Sequence, residues 1–200
     1  MSEIAVCVGL LVGGRSSRMG RDKALIEFSG APMAAHVAAA LSAHSRERFL
    51  LGVSPGPRLD SLSRVMPGAP WNFLPDATGL AGPMAGILAG LRARPDARWL
   101  IAACDQPHLT RDALRWLLDA AEAAEARALF VRDEAAHIQP LPGVFGPDLL
   151  PFAESLVVSG RRAPRELAAV PGAHILPIPH AHRAGWTSVD TPHDLASLGG

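Results

Sequence analysis

Residues 4–14 read Ile4-Ala5-Val6-Cys7-Val8-Gly9-Leu10-Leu11-Val12-Gly13-Gly14, and this stretch decides the class of fold. Its apolar run, rich in β-branched residues, predicts a buried strand that ends at the glycine pair. A strand without polar alternation is typical of a parallel sheet, since crossover helices cover both faces of such a sheet. The chain is therefore expected to be an α/β protein.

The remainder of the chain alternates apolar runs with helical patterns, as this expectation requires. One helix is predicted to begin at Pro32, because Pro favours the first helical position, and another is predicted to begin just after Gly82. A third is predicted to be capped by Thr110 and to end near Ala124. The predicted strands are Phe49–Val53, Trp71–Leu74, Trp99–Ala103 and Ala128–Val131, with a short one at Leu25–Phe28, and the other predicted helices are Pro32–Ala43 and Pro83–Leu91. We expect one domain over residues 1–200, although the C-terminal third is less regular.

Composition restricts the classes of function. Apolar residues make up 48% of the 200 residues, and the 19 acidic residues balance the 19 basic ones. Because there is no excess of positive charge, nucleic acid and anionic membranes are not expected partners. Any phosphate must therefore be bound by a local loop rather than by the whole surface.

The cysteines and the N-terminal region indicate the cellular compartment in which the protein is expected. Cys7 and Cys104 each lie inside an apolar run and are expected to be buried, reduced thiols. The run Ile4–Val12 is too short to span a membrane, and no basic residues precede it as they would in a signal peptide. A cytoplasmic protein is expected.

Three unusual segments follow predicted strands, at the edge where open parallel sheets bind their ligands. They are Gly13–Lys23, Asp76–Gly86 and Asp105-Gln106-Pro107. Taken alone, each segment is also compatible with an ordinary connection: a solvated loop, a turn that Asp76 caps, and a turn aspartate before proline.

The first segment has the composition of an anion-binding loop. Its three glycines allow backbone N–H groups to approach a ligand, and Arg15, Arg18, Arg21 and Lys23 add positive charge. Lys23 is the only lysine of the chain, and a compact ammonium fits where a guanidinium does not. The segment is not a P-loop, because Ala24 rather than Ser or Thr follows Lys23 and the glycine spacing differs from that motif. It is not a dinucleotide fingerprint, because no G-x-G-x-x-G follows the first strand.

The other two segments bring a helix N-terminus and a carboxylate to the same edge. Gly82 and Pro83 begin a helix whose N-terminus favours anions, and Asp105 directly follows a buried strand. A carboxylate in that position suits Mg²⁺, which prefers one or two protein carboxylates together with phosphate oxygens and water.

Together these segments resemble the molybdenum cofactor guanylyltransferase family, within the glycosyltransferase-A-like nucleotidyltransferases. That family has a pattern similar to L-A-G-G-x-S-x-R-M-G-x-D-K, which residues 11–23 match with Val12 in place of alanine. Its G-P-L-A-G, C-D-x-P, Q-P-L and N-x-N-T-P-x-D-L motifs are similar to residues 82–86, 104–107, 139–141 and 188–195. The resemblance covers essentially the whole chain and implies a three-layer, Rossmann-like, mostly parallel sheet with helices on both faces.

The resemblance also implies an activity: magnesium-dependent transfer of GMP from GTP to molybdopterin, with release of pyrophosphate. It implies guanine contacts from the backbone of Leu11, Val12 and Gly13, with Asp76 near the nucleoside and Gly14 and Gly82 as further nucleotide-binding residues. Lys23 would contact the nucleotide phosphates, Asp105 would bind Mg²⁺, and Arg18 is a further catalytic candidate. Gln139 with Pro140 would help to shape the acceptor pocket. Proteins that mature molybdoenzymes are further expected partners.

The final motif departs from the family pattern, because Ser188 and Asp190 replace its two asparagines. An aspartate at position 190 resembles the cytidylyltransferase relatives, in which it would serve as a second metal ligand. A CTP-dependent molybdopterin cytidylyltransferase or a related nucleotidyltransferase is therefore the alternative, and a non-catalytic nucleotide-binding protein is a third hypothesis.

Overall fold

The computed structural model describes residues 4–13, 22–68 and 70–198. The strands are β1 (Val6–Leu11), β2 (Glu27–Phe28), β3 (Ala31–Pro32), β4 (Glu47–Leu51), β5 (Asn72–Leu74), β6 (Arg98–Ala103), β7 (Ala128–Arg132), β8 (Ile138–Phe145) and β9 (Ala173–Pro177). The α-helices are α1 (Met33–Ser42), α2 (Pro57–Val65), α3 (Pro83–Ala93), α4 (Arg111–Ala123), α5 (Leu150–Val158) and α6 (Pro192–Leu198). Short 3₁₀-helices cover Lys23–Leu25, Pro147–Leu149, Pro164–Ala169 and His180–Trp186.

A seven-stranded sheet in the order β5-β4-β1-β6-β8-β7-β9 forms the centre of the molecule. Strands β5, β4, β1 and β6 are parallel, and β7 is parallel to β9. Only β8 runs antiparallel to its neighbours β6 and β7 within the sheet. The prediction of a mostly parallel sheet is confirmed, and β2 with β3 forms a separate small hairpin.

Helices cover both faces of this sheet, as the continuous apolar strands require. On one face, Val8 and Leu10 of β1 belong to a core with α1 and α4. On the other face, Cys7 and Leu11 belong to a core with α3 and α5. Both cysteines are free and buried, as expected.

Several local features differ from the sequence prediction, including α5, β9 and α6, which were not predicted. Lys23–Leu25 is a 3₁₀-helix, so that the expected strand at Leu25–Phe28 is reduced to β2. Pro32 precedes α1 as its N-cap rather than occupying the first helical position. The sequence analysis missed α2, which begins at Pro57 and has Leu62 as its buried residue. It also missed β8, whose first residues lie at the edge where the parallel strands end.

No helix in the described ranges is long and apolar enough to cross a membrane.

Candidate active site

The candidate site lies at the edge of the sheet where the parallel strands end. Gly13 follows β1, Asp76 follows β5 and Asp105 follows β6, and these three strands point the same way. The expectation that the three segments meet at one edge therefore agrees with the topology.

Lys23 joins two distant parts of the chain at this edge. Its Nζ donates to Oδ2 of Asp105 at 3.0 Å and to Oδ1 of Asp190 at 2.6 Å. The Lys23 side chain is only 14% exposed, whereas that of Asp190 is 54% exposed. The sole lysine of the chain is thus held between the two residues predicted as metal ligands.

Burial and charge act in opposite directions on Lys23. Desolvation lowers the pKa of its ammonium, but the hydrogen bonds and charges of Asp190 and Asp105 outweigh that effect and raise the pKa above its usual value. Lys23 therefore remains positively charged at neutral pH.

The two carboxylates fit a magnesium ion chemically. Both reach one ammonium, so they are close enough to share one cation, and their hard oxygen donors suit Mg²⁺. Within residues 4–13, 22–68 and 70–198, no group of three or more His, Cys, Asp or Glu residues could hold a metal ion. Asp105 and Asp190 would therefore need phosphate oxygens and water to complete the coordination, which is the usual arrangement for Mg²⁺.

The C-terminal segment reaches the site through backbone hydrogen bonds. The Val189 N–H donates to the Asp105 carbonyl at 2.8 Å, so this segment crosses the end of β6. Oδ2 of Asp194 accepts from the N–H groups of Asp190 (2.9 Å) and Thr191 (2.8 Å) at the start of α6. These bonds position Asp190 beside Asp105.

A close backbone approach brings Asp76 toward the loop after β1. Gly52 has φ +82°, and a Cβ there would lie 2.9 Å from the Gly13 Cα and 3.1 Å from Oδ1 of Asp76. Asp76 is exposed as a residue, yet partial burial of its carboxyl raises its pKa. Gly82, with φ +84°, precedes Pro83 at the start of α3, as expected.

The backbone of the predicted guanine-binding segment has partners within the protein. The Leu11 carbonyl accepts from Cys104 N–H, and the N–H groups of Val12 and Gly13 share the Leu51 carbonyl. The Val12 carbonyl accepts from Nη2 of Arg58, and the guanine contacts expected of this backbone stay predictions. Gly14 and Arg18 lie outside the described residues, and their roles stay predictions.

Arg58 is a site residue that the sequence analysis missed. Its Nε donates to Oδ2 of Asp22 at 2.6 Å, its Nη2 donates to Oδ1 at 3.0 Å, and Nη2 also donates to the Val12 carbonyl. One guanidinium thus links the two ends of the segment between Gly13 and Asp22. The sequence offered only a weak signal for Arg58, a basic residue in the first turn of α2. No local pattern connects that residue to Asp22.

Comparison with known proteins identifies the family of this chain. Residues 8–176 match the model of the MobA-like NTP transferase domain. A probable molybdenum cofactor guanylyltransferase of Deinococcus radiodurans is 32% identical over 98% of this chain and 95% of its own length. A molybdenum cofactor guanylyltransferase of Pseudomonas fluorescens is 30% identical, with 94% and 90% covered.

A solved structure supports the same fold. The crystal structure of molybdopterin-guanine dinucleotide biosynthesis protein A from Archaeoglobus fulgidus superposes with a TM-score of 0.79 at 21% identity, covering 96% of both chains. The family model and these relatives identify the chain as a nucleotidyltransferase. The chain belongs to the MobA-like NTP transferase family, and its curated relatives act in molybdenum cofactor biosynthesis.

Proposed function

We propose that this protein transfers GMP from GTP to molybdopterin, with Mg²⁺, in the cytoplasm, forming the guanine dinucleotide cofactor and releasing pyrophosphate. The observation that carries the proposal is the contact of Lys23 with both Asp105 and Asp190 at the carboxyl edge of β1 and β6. A cation and two carboxylates at this edge suit a nucleotide bound through its phosphates and a metal ion. The names of the curated relatives support guanine and molybdopterin as the substrates.

The chemistry requires charge neutralisation rather than a strong base. The acceptor attacks through a terminal phosphate, which is already an anion, so the main obstacle is repulsion between it and the α-phosphate of GTP. Lys23, which stays protonated, lowers this repulsion when it contacts the phosphates. Mg²⁺ held by Asp105 and Asp190 would supply further positive charge and align the phosphates.

Lys23 would have to change partners for this role. In the structure its ammonium contacts Asp105 and Asp190 and offsets part of the repulsion between the two carboxylates. Asp105 and Asp190 would hold a divalent cation, and Lys23 would then contact the phosphates in place of the carboxylates.

A cytidylyltransferase is the second candidate function, because an aspartate at position 190 is similar to the motif of the cytidylyltransferase relatives. The experiment is to measure pyrophosphate release from GTP, CTP and ATP with molybdopterin and Mg²⁺, with EDTA as the metal control. We expect GTP to give the fastest release and EDTA to abolish it. Preference for CTP would identify a cytidylyltransferase, whereas GTP binding without pyrophosphate release would identify a non-catalytic nucleotide-binding protein.

A further inference from the structure

Gln106, which directly follows the expected metal ligand Asp105, is a polar residue in an apolar environment. Among the residues that the structure describes, it is the only polar or charged residue that is buried, with 3% of its surface exposed. Its Nε2 donates to the Leu141 carbonyl of β8 at 3.0 Å. Because a carbonyl oxygen only accepts, this bond fixes the orientation of the amide and directs Oε1 away from Leu141.

The Oε1 atom of Gln106 is enclosed and has no hydrogen-bond donor in the described part of the chain. Such an atom destabilises the folded state, because its hydrogen bonds to water are lost on folding and are not replaced. An apolar side chain of similar size would fill the same space without this loss. The property that only the amide supplies is therefore the hydrogen bond to β8.

Strand β8 is irregular where Gln106 meets it. Its register with β7 shifts between Leu129 and Val131, and residues 140–142 have no paired residue in the described sheet. Leu141 is nevertheless buried. The Gln106 amide gives the carbonyl of this unpaired stretch a donor, and it ties β8 to the turn that follows β6.

Three consecutive residues attach the turn after β6 to three other segments of the chain. The Cys104 N–H donates to the Leu11 carbonyl of β1 at 3.1 Å, and the Asp105 carbonyl accepts from the Val189 N–H at 2.8 Å. Gln106 adds the bond to β8, which is the only one of the three that a side chain makes. The backbone of Asp105 is thus held between β1, β8 and the C-terminal segment, and its carboxylate takes no part in these bonds.

We propose that Gln106 is a positioning residue for the metal site, which holds Asp105 in place through its hydrogen bond to β8. The inference rests on the proposed function, in which Asp105 binds Mg²⁺. Residues that orient the ligands of a metal ion weaken its binding about 10- to 100-fold when they are lost. Gln106 acts on the ion only through Asp105, because its Nε2 is used by Leu141 and its Oε1 is enclosed.

The test measures the binding of Mn²⁺, as a probe for the Mg²⁺ site, to the free protein by electron paramagnetic resonance. Gln106→Met removes the amide and keeps the length of the side chain. Leu109→Met, a buried change three residues later, is the matched control. We expect Gln106→Met to raise the Kd for Mn²⁺ about tenfold, whereas Leu109→Met leaves it within about twofold. Asp105→Asn should weaken binding at least as much as Gln106→Met.

Thermal stability separates a positioning role from a structural one. In Gln106→Met, the lost hydrogen bond to Leu141 is offset by removal of the enclosed Oε1, so Tm should change by less than about 3 °C. A large fall in Tm with an unchanged Kd for Mn²⁺ would show that Gln106 is a structural residue. Gln106→Leu, which also removes the amide, repeats the measurement with a different shape, and loss of folding in both variants would equally overturn the positioning role.

Failure of the proposed metal site has a different signature. If Asp105→Asn weakened Mn²⁺ binding but folded Gln106→Met did not, the metal site would stand and the positioning role would be wrong. If Asp105→Asn bound Mn²⁺ as tightly as wild type, the metal site of the proposed function would be wrong, and the positioning role would be overturned with it.

Discussion

Lys23, the first residue of a 3₁₀-helix, combines three properties. It is the only lysine of the chain, it is largely buried, and it contacts two carboxylates from segments 82 and 167 residues away. An arginine would carry the same charge, but its larger planar head would have to displace one of the carboxylates. The shape of the ammonium, and not only its charge, is therefore expected to matter.

We predict that Lys23→Arg and Lys23→Ala each lower kcat/KM at least about tenfold, a transition-state loss of roughly 1.4 kcal/mol. Steady-state kinetics with GTP and molybdopterin measure this effect, and melting curves monitor folding. Arg64→Lys, an exposed change on α2, serves as the matched control. Wild-type activity in Lys23→Arg would show that position 23 needs only a positive charge.

Asp105 is the less exposed of the two carboxylates, with a side chain that is 25% exposed. Asp105→Asn keeps the shape and removes the charge, so it should weaken Mg²⁺ binding and lower turnover by two or more orders of magnitude, or at least about 2.7 kcal/mol. Turnover measured against Mg²⁺ concentration tests this prediction.

The control for Asp105 is Asp60→Asn, an exposed change on α2 that should leave turnover unaltered. A folded Asp105→Asn variant with wild-type turnover would show that Asp105 is only a turn residue and that the proposed metal site is wrong.

At the scale of elements, α2 contributes to the site through its first turn. Arg58 is the second residue of α2, and its guanidinium joins the Val12 carbonyl after β1 to Asp22 before Lys23. Arg58 thus joins Val12 to Asp22, the residue directly before Lys23. The position of Lys23 therefore depends on α2 as well as on β1.

We predict that Arg58→Ala raises the KM for GTP at least about fivefold, whereas Arg64→Ala in the last turn of α2 has no effect. Asp22→Asn should act in the same direction, and the double variant should fall short of the sum of the two single effects, since the residues share one contact. Initial rates over a range of GTP concentrations give these values. Independent, additive effects would contradict the link between Arg58 and Asp22.

The contact between α1 and α4 should make stability depend on pH. Nε2 of His44, after α1, donates to the Arg111 carbonyl at 3.2 Å, while Nδ1 is buried without a partner in the described chain. Burial, followed by the charge of Arg115, lowers the pKa of His44. The hydrogen bond to the Arg111 carbonyl and the charge of Asp119 oppose this shift in pKa, and the charge of Arg111 adds to it. Because the folded-state pKa lies below the unfolded value, the folded state loses stability as the pH falls below about 6.5.

Urea unfolding at pH 7.5 and pH 5.5 measures this dependence. The free energy of unfolding of wild type should fall more on acidification than that of His44→Gln, which cannot gain a proton. Parallel losses in the two proteins would assign the pH dependence to other groups.

Elements with a strong local pattern could be predicted from the sequence, and others could not. The apolar run of β1 and the Thr110 cap of α4, where Ala113 N–H donates to the threonine side chain, are local signals. By contrast, α2 follows a run of prolines and glycines and buries Leu62 alone, so its apolar pattern is weak. The direction of β8 depends on pairing with β6, some forty residues earlier, which periodicity does not encode.

The same reasoning separates the predictable part of the site from the rest. Strand ends place Gly13 and Asp105 at one edge through a general rule for parallel sheets. The contact of Lys23 with Asp190 joins the two ends of the chain, and only the family resemblance pointed to position 190. Neither approach pointed to Arg58, because its contacts with Val12 and Asp22 arise only in the fold.

For the whole molecule, two cores share the strands of one sheet. Val8 and Cys7 are neighbours in β1 but belong to opposite cores, so one core cannot separate without disturbing the strands that support the other. We propose that residues 1–200 form a single domain and predict one cooperative unfolding transition. Calorimetry should give equal calorimetric and van't Hoff enthalpies, and two resolved transitions would contradict the single domain.

Nucleotide binding should raise the stability of this whole unit. With Mg²⁺ and free GTP at about 100 times its Kd, the gain is about 2.7 kcal/mol, or roughly 5–10 °C in Tm for a chain of this size. CTP at the same concentration should give a smaller shift. Equal shifts would show that the base is not recognised.

The antiparallel direction of β8 has a consequence for how substrate range can diversify. The turn from Asp133 to His137 is closed by its own backbone hydrogen bonds, and its residues Asp133, Glu134 and Ala135 line a cavity of about 440 Å³. Residues inserted there would remodel the cavity wall while the pairing of β7 with β8 and both cores stayed intact. This hairpin tip is therefore where laboratory evolution toward a new acceptor should first accept insertions and deletions, at little cost to folding.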